Sequence, residues 1–470
     1  MRYTALATDY DGTLASDGRV AAATLRALER LAASGRKLIL VTGRELDELL
    51  AVFPEIGVFD RVVAENGAVL YTPTTKAYRT LGEAPSPAFV SELLRRGVEP
   101  LSVGRSIVST VHPNETIVLG TIRDLGLEMQ VIFNKGAVMV LPASLNKATG
   151  LAAALEDLGL SPRNVVAIGD AENDHALLRM AEFGVAVANA VPTLQMEADH
   201  TSAHENSHAV IELVGSLIDH DLRGTPPRAP RREILLGHRA DGNELRMPPA
   251  SFALLIAGSV DSEGSTLALG VLERVTAEGY QFCVIDSEGN YGGLPGAVVL
   301  GASDREPTVD EVMTALHTPN ANVVVNVVCL PLPDRSAFFV KLLNGIRELH
   351  ATTGRPHWIL ADETSHLLPR TGDEVPACLA DAATGMIYVT AHPDRLAVPV
   401  LRTIDLVVAL GKAPSATLAS IAASAGVAPP GTEGGTLEPG NALAWFRSAP
   451  GVAFKISVTL ATEHSDAHRI

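Results

Sequence analysis

Cysteine is scarce in this 470-residue chain. Its three cysteines lie in the second half, without the spacing of a disulfide or a metal site: Cys283, Cys329 and Cys378. Isolated thiols of this kind are core filler in a reducing compartment, so we expect a cytoplasmic protein. Long apolar runs are also missing, since none approaches the roughly 20 residues that a bilayer-spanning helix needs. Residues 1–4 lead directly into a strand pattern, which argues against a signal peptide.

Positive charge is in short supply too. The chain has 37 lysines and arginines against 54 aspartates and glutamates, a formal net charge of −17. Because binding to nucleic acid depends on a basic surface, we do not expect general affinity for nucleic acid. The length exceeds what one ordinary core accommodates and predicts two to four domains.

An acidic turn follows the apolar run at residues 3–7, with the sequence Thr8-Asp9-Tyr10-Asp11-Gly12-Thr13-Leu14. Residues i and i+2 of an extended strand share a face, so the carboxylates of Asp9 and Asp11 can meet one ligand. Two carboxylates at the end of a strand are costly unless a cation or a shared proton offsets their repulsion. Taken alone, the pattern also fits an ordinary polar loop after a strand.

Strand and helix patterns then alternate, which predicts a parallel sheet with crossover helices. Strand patterns at 37–41, 61–64 and 164–168 each run into polar residues. Ligands of such sheets bind at the carboxyl ends of the strands. We therefore expect a Rossmann-like core formed by residues 1–83 and 143–218, with one site at that edge that includes Asp9, Asp11, Thr42, Asp170 and Asp174.

Residues 84–142 interrupt this alternation. Their pattern is helix-strand-strand, twice, which predicts a small α+β cap inserted into the core. An insert beside the active edge of a sheet is well placed to act as a lid and a specificity wall. Asn134 and Lys135, at the tip of the last hairpin, are candidates for reading the substrate; a solvated turn is the alternative.

Four carboxylates that converge on one edge repel one another, and one divalent cation offsets most of that repulsion. Oxygen ligands without clustered histidine or cysteine favour Mg²⁺ over Zn²⁺. The predicted metal ligands are Asp9, Asp11, Asp170 and Asp174.

A carboxylate, a lysine and a threonine hydroxyl beside a hard cation form a set suited to phosphoryl transfer. Asp9 is the predicted nucleophile and forms an aspartyl-phosphate. Asp11 is the predicted general acid and base, which protonates the leaving oxygen and then activates water. The predicted phosphate-binding residues are Thr42, Gly43, Lys147 and Asn173. Viewed separately, Lys147 is better explained as a surface lysine of a helix, and a helix cap is an alternative role for Arg44.

These motifs resemble those of the haloacid dehalogenase superfamily: Asp9-x-Asp11-Gly-Thr-Leu, Thr42-Gly-Arg, Lys147 and Gly169-Asp170-x-x-Asn173-Asp174. The stretch Glu65-Asn66-Gly67-Ala68, the insert and Gly184-Val-Ala-Val-Ala-Asn189-Ala190 resemble its Cof-type branch, subclass IIB. The resemblance covers about residues 1–215. It implies a magnesium-dependent phosphatase that acts on sugar phosphates or other small phosphate esters.

A proline-rich linker at 219–231 precedes a second predicted domain, 232–470. There a strand pattern runs into Gly258, where a phosphate loop G-x-x-x-x-G-K-[ST] would lie. Aligned on Ser265-Thr266, the lysine position holds Gly264, and Asp261 and Glu263 stand where glycine is usual. One such carboxylate about 4 Å from a phosphate costs on the order of 4 kcal/mol at an effective dielectric of about 20. We therefore expect no useful ATPase activity.

The rest of the second half keeps the order of such a domain. Asp362-Glu363 follow a strand pattern at 357–361 and resemble a Walker B pair, with a strand-to-helix cap as the alternative. Over about 232–460 the order resembles the HerA-like group of DNA-pumping P-loop ATPases. This resemblance implies a second α/β, P-loop NTPase-like domain with a degenerate nucleotide site at Gly258, Gly264, Ser265, Thr266, Asp362 and Glu363.

The predicted function is hydrolysis of a small phosphate monoester, with a sugar phosphate as the expected substrate. A phosphosugar mutase that uses the same aspartyl-phosphate is one alternative. A nucleotide- or DNA-associated assembly protein is another. For the second domain we expect a non-catalytic role in regulation, homo-oligomerisation or partner binding.

Overall fold

The computed structural model describes residues 1–228, 230–258, 263–370, 384–432, 437–448 and 451–461. The chain divides into two compact units, Arg2–Pro230 and Arg231–Ile470.

The strands of the first unit are β1 (Ala5–Thr8), β2 (Lys37–Val41), β3 (Arg61–Ala64), β4 (Val69–Thr72), β5 (Ala77–Thr80), β6 (Ser102–Val103), β7 (Val108–Val111), β8 (Met129–Asn134), β9 (Ala137–Pro142), β10 (Val165–Gly169), β11 (Phe183–Ala186) and β12 (His200–Thr201). Its α-helices are α1 (Ala22–Ala33), α2 (Leu46–Val52), α3 (Pro87–Arg95), α4 (Glu115–Asp124), α5 (Lys147–Leu158), α6 (His175–Met180), α7 (Pro192–Glu197) and α8 (Asn206–His220).

The core of the first unit is an eight-stranded sheet in the order β12-β11-β10-β1-β2-β3-β4-β5. Pairing is parallel from β12 to β3, and the β4–β5 hairpin adds two antiparallel strands at the edge. The central strand β1 is buried along its whole length, as expected for a parallel sheet covered on both faces. The predicted parallel core is thus confirmed, and the carboxyl ends of β1, β2 and β10 meet at one edge.

Residues inserted between β5 and α5 form a second, smaller sheet of four antiparallel strands in the order β6-β7-β9-β8. The elements follow one another as helix-strand-strand, twice. Helices α3 and α4 pack on this sheet through a compact apolar cluster that includes Phe89, Leu93 and Val118, each fully buried. The insert therefore has its own core, so its tip hairpin is positioned as part of a folded element.

The strands of the second unit are β13 (Ile234–Arg239), β14 (Glu244–Met247), β15 (Ala253–Ala257), β16 (Phe282–Asp286), β17 (Ala297–Leu300), β18 (Asn322–Asn326), β19 (Trp358–Ala361), β20 (Gly385–Thr390), β21 (Leu406–Ala409), β22 (Gly431–Thr432), β23 (Asn441–Phe446) and β24 (Val452–Val458). Its α-helices are α9 (Glu263–Ala277), α10 (Val309–His317), α11 (Leu332–Thr353), α12 (Thr364–Leu367), α13 (Val398–Thr403) and α14 (Pro414–Ala425).

These strands form one sheet in the order β14-β13-β24-β23-β21-β15-β20-β19-β16-β18-β17, with β22 paired to β24. The strands from β21 to β17 run parallel, and the remainder are mostly antiparallel. The second unit is thus α/β, as expected.

The free thiols of Cys283 and Cys329 are buried and half-buried, while Cys378 lies outside the described residues. None of the helices in the described parts of the chain has the length and apolar character that crossing a bilayer requires.

Candidate active site

Asp9 begins the site, directly after β1. Its backbone N–H donates to the carbonyl oxygen of Ile168 at 3.0 Å, which continues the parallel pairing with β10 one residue beyond β1. The residue is 4% exposed. The sheet thereby fixes the backbone of Asp9 at its carboxyl edge and brings it beside the segment that follows β10.

Gly12 lets the turn after β1 pack directly on Asp170. Its φ is +78°, and a Cβ at this position would lie 2.2 Å from Asp170 Oδ2. The next residue, Thr13, is fully buried and donates its hydroxyl to Asp170 Oδ1 at 3.2 Å. Any other residue at position 12 would combine left-handed backbone strain with a clash against Asp170.

Lys147 is not a surface lysine. It starts α5, whose N-terminus is capped by the side chain of Asn146, and Gly67 allows close approach because a Cβ there would lie 1.9 Å from the Asn146 carbonyl oxygen. Lys147 is 1% exposed, and its Nζ lies 2.6 Å from Asp9 Oδ1 and 2.6 Å from Asp174 Oδ1. One buried ammonium thus bridges two buried carboxylates.

Both oxygens of Asp174 are engaged. While Oδ1 accepts from Lys147, Oδ2 accepts the backbone N–H groups of Asp170 at 3.0 Å and Ala171 at 3.1 Å. These bonds hold the loop after β10 and orient the lysine. The structure therefore places Asp174 as the partner of Lys147.

Three carboxylates form one cluster. Asp9, Asp170 and Asp174 each offer an oxygen, and these oxygens lie within 4.8 Å of one another. Burial raises the pKa of Asp9 well above its ordinary value, Asp174 and Asp170 raise it further, and Lys147 opposes them. Burial also raises the pKa of Asp170. The cluster is thus short of positive charge, and its donor set of buried carboxylate oxygens is one that a hard divalent cation fits.

Asp11, the fourth predicted metal ligand, lies outside this cluster. The Arg44 guanidinium binds its carboxylate through two contacts, Nε to Oδ2 at 2.6 Å and Nη2 to Oδ1 at 2.7 Å. The Asp11 side chain is 43% exposed. Arg44 therefore holds Asp11 at the rim of the site and does not act only as a helix cap.

The predicted phosphate-binding residues Thr42, Gly43 and Asn173 lie together beside the cluster. Thr42 is buried, and its hydroxyl accepts the backbone N–H of Arg44 at 3.1 Å. Asn173 donates through Nδ2 to Asn66 Oδ1 at 3.0 Å. A Cβ at Gly43 would lie 3.0 Å from Met139 Cε and 3.5 Å from Asn173 Nδ2, so glycine avoids a close contact with the Met139 side chain.

A cavity of about 380 Å³ opens above Asp9 between the core and the cap. The core contributes acids and polar groups to its wall, and the cap contributes mostly small polar and apolar side chains. The lining residues are Asp9, Asp11, Thr42, Gly43, Arg44, Glu45 and Glu48 from the core, and Pro100, Leu101, Ser102, Ser109, Thr110, Val111, Asn134, Ala137 and Met139 from the cap. A volume of this size accommodates a small phosphate ester.

Lys135 also reaches the site from the cap. Its ammonium contacts Asp170 Oδ2, and its backbone N–H donates to Glu172 Oε2 at 3.2 Å. The hairpin tip is therefore docked on the core and is not a purely solvated turn.

Three residues with direct contacts in the site had no assigned role in the sequence-based prediction. Thr13 bonds Asp170, Arg44 binds Asp11 and Asn66 pairs with Asn173. All three belong to motifs that were recognised. Membership of a recognised motif was thus a usable signal that these residues belong to the site. Their individual partners were not predictable from it, because those partners lie far along the chain.

In the second unit, the predicted nucleotide-site residues lie at the carboxyl edge of the sheet. Gly258 follows β15, and Gly264, Ser265 and Thr266 lie in the first turns of α9, whereas Asp261 lies outside the described residues.

Asp362 and Glu363 follow β19. Asp362 is 2% exposed, and its Oδ2 has no hydrogen-bond partner among the described residues. Burial raises the pKa of Asp362 well above its ordinary value, as do the nearby carboxylates of Asp286, Glu288 and Glu363. Glu363 occupies the N-cap position of α12 without a side-chain capping bond. Glu363 therefore stands at a helix cap, as the alternative interpretation predicts, but its side chain makes no capping hydrogen bond.

The fold and the site of the first unit define an enzyme of the α/β class with a buried carboxylate cluster under a cap. A family model described as haloacid dehalogenase-like hydrolase matches residues 6–89 and 123–214. The phosphoglycolate phosphatase of Methanothermobacter thermautotrophicus is 33% identical over 220 residues, which is 45% of this chain and 96% of that protein. That of Archaeoglobus fulgidus is 31% identical over 213 residues, 45% of this chain and 95% of that protein.

The chain therefore belongs to the haloacid dehalogenase-like hydrolases, and the predicted phosphoric monoester hydrolase is confirmed. Solved structures similar to it include a haloacid dehalogenase-like hydrolase from Bacteroides thetaiotaomicron, with 18% identity and a TM-score of 0.40 over 46% of this chain and 99% of that one. A subclass IIB sugar phosphatase of the superfamily has 19% identity and a TM-score of 0.39 over 46% of this chain and 97% of that one.

Proposed function

We propose that the first unit hydrolyses a small phosphate monoester through an aspartyl-phosphate on Asp9, with a divalent cation bound beside it. The observation that carries this proposal is the buried triplet in which Lys147 contacts both Asp9 and Asp174 at 2.6 Å. The lysine stabilises the ionised, nucleophilic form of a carboxylate whose burial favours the protonated form.

The Asp9 carboxylate presents one oxygen for attack, because Oδ1 is paired with Lys147. We assign the attack to Oδ2. A bond forms from this oxygen to phosphorus, the bond from phosphorus to the ester oxygen breaks, and Asp11 protonates that oxygen. Asp11 then accepts a proton from water, the resulting hydroxide attacks phosphorus, and the bond to Asp9 breaks to release inorganic phosphate. For both steps the Asp11 side chain turns from Arg44 towards the reacting group. Thr42, Gly43 and Asn173 bind the phosphoryl oxygens.

The residues that would hold the cation are Asp9 and Asp170. Asp174 lies within reach, but it serves the lysine and two backbone N–H groups. Oxygen-only donors favour Mg²⁺, as predicted from the sequence. When bound, Mg²⁺ would supply charge neutralisation and Lewis-acid polarisation at the phosphoryl oxygens.

The substrate class is the finer part of this proposal. From the sequence we expect a sugar phosphate, as in the Cof-type subclass IIB, whereas the relatives at 31–33% identity are phosphoglycolate phosphatases. We propose phosphoglycolate-like esters as the first substrates to assay and sugar phosphates as the second. A phosphosugar mutase remains the nearest alternative and would show itself by dependence on a sugar bisphosphate.

We expect the first unit to gain stability and activity from Mg²⁺ together. Addition of Mg²⁺ at about 100 times its Kd stabilises the protein by about 2.7 kcal/mol, because only the folded cluster binds it. Thermal unfolding followed by circular dichroism, with Mg²⁺ and with EDTA, measures this. In parallel, phosphate release from phosphoglycolate, sugar phosphates and p-nitrophenyl phosphate should require the metal.

The variant Asp170→Asn provides the control, since it should lose most of the thermal shift. Turnover that persists fully in EDTA, or an equal shift in Asp170→Asn, would contradict the assigned metal site. Absence of phosphate release from the whole substrate panel would contradict the proposed function.

For the second unit we propose a non-catalytic, P-loop NTPase-like domain of the HerA-like type, which serves self-association or binding of a protein partner. Supporting this, its described residues form a mixed α/β sheet whose strands from β21 to β17 are parallel, and Asp362 lies at the carboxyl edge of these strands. Position 264 lacks the lysine of a phosphate loop. The net charge of −17 argues against nucleic acid as the partner. A cytoplasmic location is proposed on cysteine usage alone.

We expect no ATP hydrolysis by the second unit. The full chain with Asp9→Asn removes the contribution of the first unit, and phosphate release from ATP and Mg²⁺ should then stay at background. Calorimetry with ATP should show no binding tighter than about 1 mM, since glycine at position 264 replaces the lysine that offsets phosphate charge in a phosphate loop. Light scattering of the same sample reports self-association. Steady ATP turnover in Asp9→Asn would refute the proposal.

A further inference from the structure

Lys135 sits at a position that the cap itself defines. It lies at the tip of the hairpin between β8 and β9, where Asn134 pairs with Ala137. Its φ of +45° and that of Gly136, +94°, form the tight turn. The backbone of Lys135 is thus set by the cap strands, while its side chain extends towards the core.

The ammonium of Lys135 contacts one oxygen of Asp170, and Thr13 bonds the other. The Asp170 carboxylate is fully buried, whereas the Lys135 side chain is 45% exposed. A cation of the cap therefore neutralises a buried carboxylate of the core. Asp170 is also one of the residues that would hold a divalent cation.

The other cations near the cavity are already committed to acids. Lys147 contacts Asp9 and Asp174, and Arg44 contacts both Asp11 and Glu48. Arg105 of the cap pairs with Asp47. Within the described part of the first unit, Lys135 is the half-exposed cation of the cap that contacts an assigned metal ligand, whereas Lys147, which contacts Asp9, is buried in the core.

We propose that Lys135 is a specificity-determining residue that binds a second anionic group of the substrate, such as a carboxylate, once the divalent cation occupies Asp170. This inference rests on the proposed function. With a divalent cation held at Asp170, the ammonium would be repelled from this carboxylate, and its flexible stem with three donors would let it turn into the adjacent cleft. There Asn134 already lines the wall. A small phosphate ester that carries a carboxylate fits this pairing, whereas a neutral ester leaves the ammonium without a partner.

The test compares Lys135→Met with Lys76→Met on two substrates, phosphoglycolate and p-nitrophenyl phosphate, with Mg²⁺. Lys76 is a matched control because it is an exposed lysine in the turn between β4 and β5, also at positive φ, +57°. We expect Lys135→Met to lower kcat/KM for phosphoglycolate by about 10- to 100-fold, because the substrate loses one charged hydrogen bond. The effect should fall mainly on KM. Turnover of p-nitrophenyl phosphate should change less than about threefold, and Lys135→Arg should recover part of the loss.

A second measurement does not depend on activity. Calorimetric titration with Mg²⁺ should show tighter binding to Lys135→Met than to Lys76→Met, because the competing ammonium is gone. Equal losses on both substrates, no loss on phosphoglycolate, or unchanged Mg²⁺ affinity would each overturn the inference. If wild type hydrolyses p-nitrophenyl phosphate but not phosphoglycolate, the inference fails while the proposed phosphatase stands; if it hydrolyses neither, the proposed function itself fails.

Discussion

Asp9→Asn should lower turnover of p-nitrophenyl phosphate in the presence of Mg²⁺ by at least about 1,000-fold. The amide is a poor nucleophile, so the covalent step has no acceptor, and the effect falls on kcat. The substitution keeps the shape of the side chain and removes one of the three clustered carboxylates. Steady-state kinetics of phosphate release measure the loss.

The matched control is Asp17→Asn, the same change at an exposed position eight residues along the chain. It should leave turnover unchanged. Asp9→Asn should also remain folded, because Lys147 keeps its contact with Asp174 at 2.6 Å. A folded Asp9→Asn protein with turnover close to wild type would show that another residue is the nucleophile.

Lys147→Met should both abolish turnover and destabilise the first unit by about 3–5 kcal/mol. The substitution removes the one ammonium shared by Asp9 and Asp174, and both carboxylates remain buried without it. In wild type, burial raises the pKa of Asp9 and Lys147 opposes that rise. Without the lysine, the penalty should be largest at neutral pH and shrink as the pH falls and the carboxylates take up protons.

Denaturant titrations can separate the two units in this variant. Both tryptophans, Trp358 and Trp445, belong to the second unit, so their fluorescence reports that unit while circular dichroism reports both. We expect Lys147→Met to shift the dichroism transition and to leave the tryptophan transition in place. Lys37→Met breaks the exposed pair with Asp60 and should cost no more than about 1 kcal/mol. If Lys147→Met destabilised the first unit by no more than Lys37→Met does, the result would contradict a buried ion pair of Lys147 with Asp9 and Asp174.

The parallel core was predictable because its strands are short apolar runs that end in polar residues. β2 and β3 match the patterns at 37–41 and 61–64, and β10 lies within one residue of its pattern. The edge hairpin β4–β5 was missed, since β5 is fully exposed and lacks an apolar period. In the second unit the 22-residue helix α11 was missed because its buried residues are spread among charged ones.

The order and spacing of the acidic motifs were enough to indicate phosphoryl-transfer chemistry at one sheet edge, because the carboxyl ends of parallel strands converge whatever the loops between them do. Which acid pairs with which cation depended on contacts between residues far apart along the chain, from 27 positions between Lys147 and Asp174 to 138 between Lys147 and Asp9. Close packing sets those side-chain directions: it holds Asp11 on Arg44, gives both oxygens of Asp174 to the loop and the lysine, and brings Lys135 from the cap onto Asp170. Local sequence carries no information on such pairings, since burial and neighbouring charge decide them only once the chain has folded.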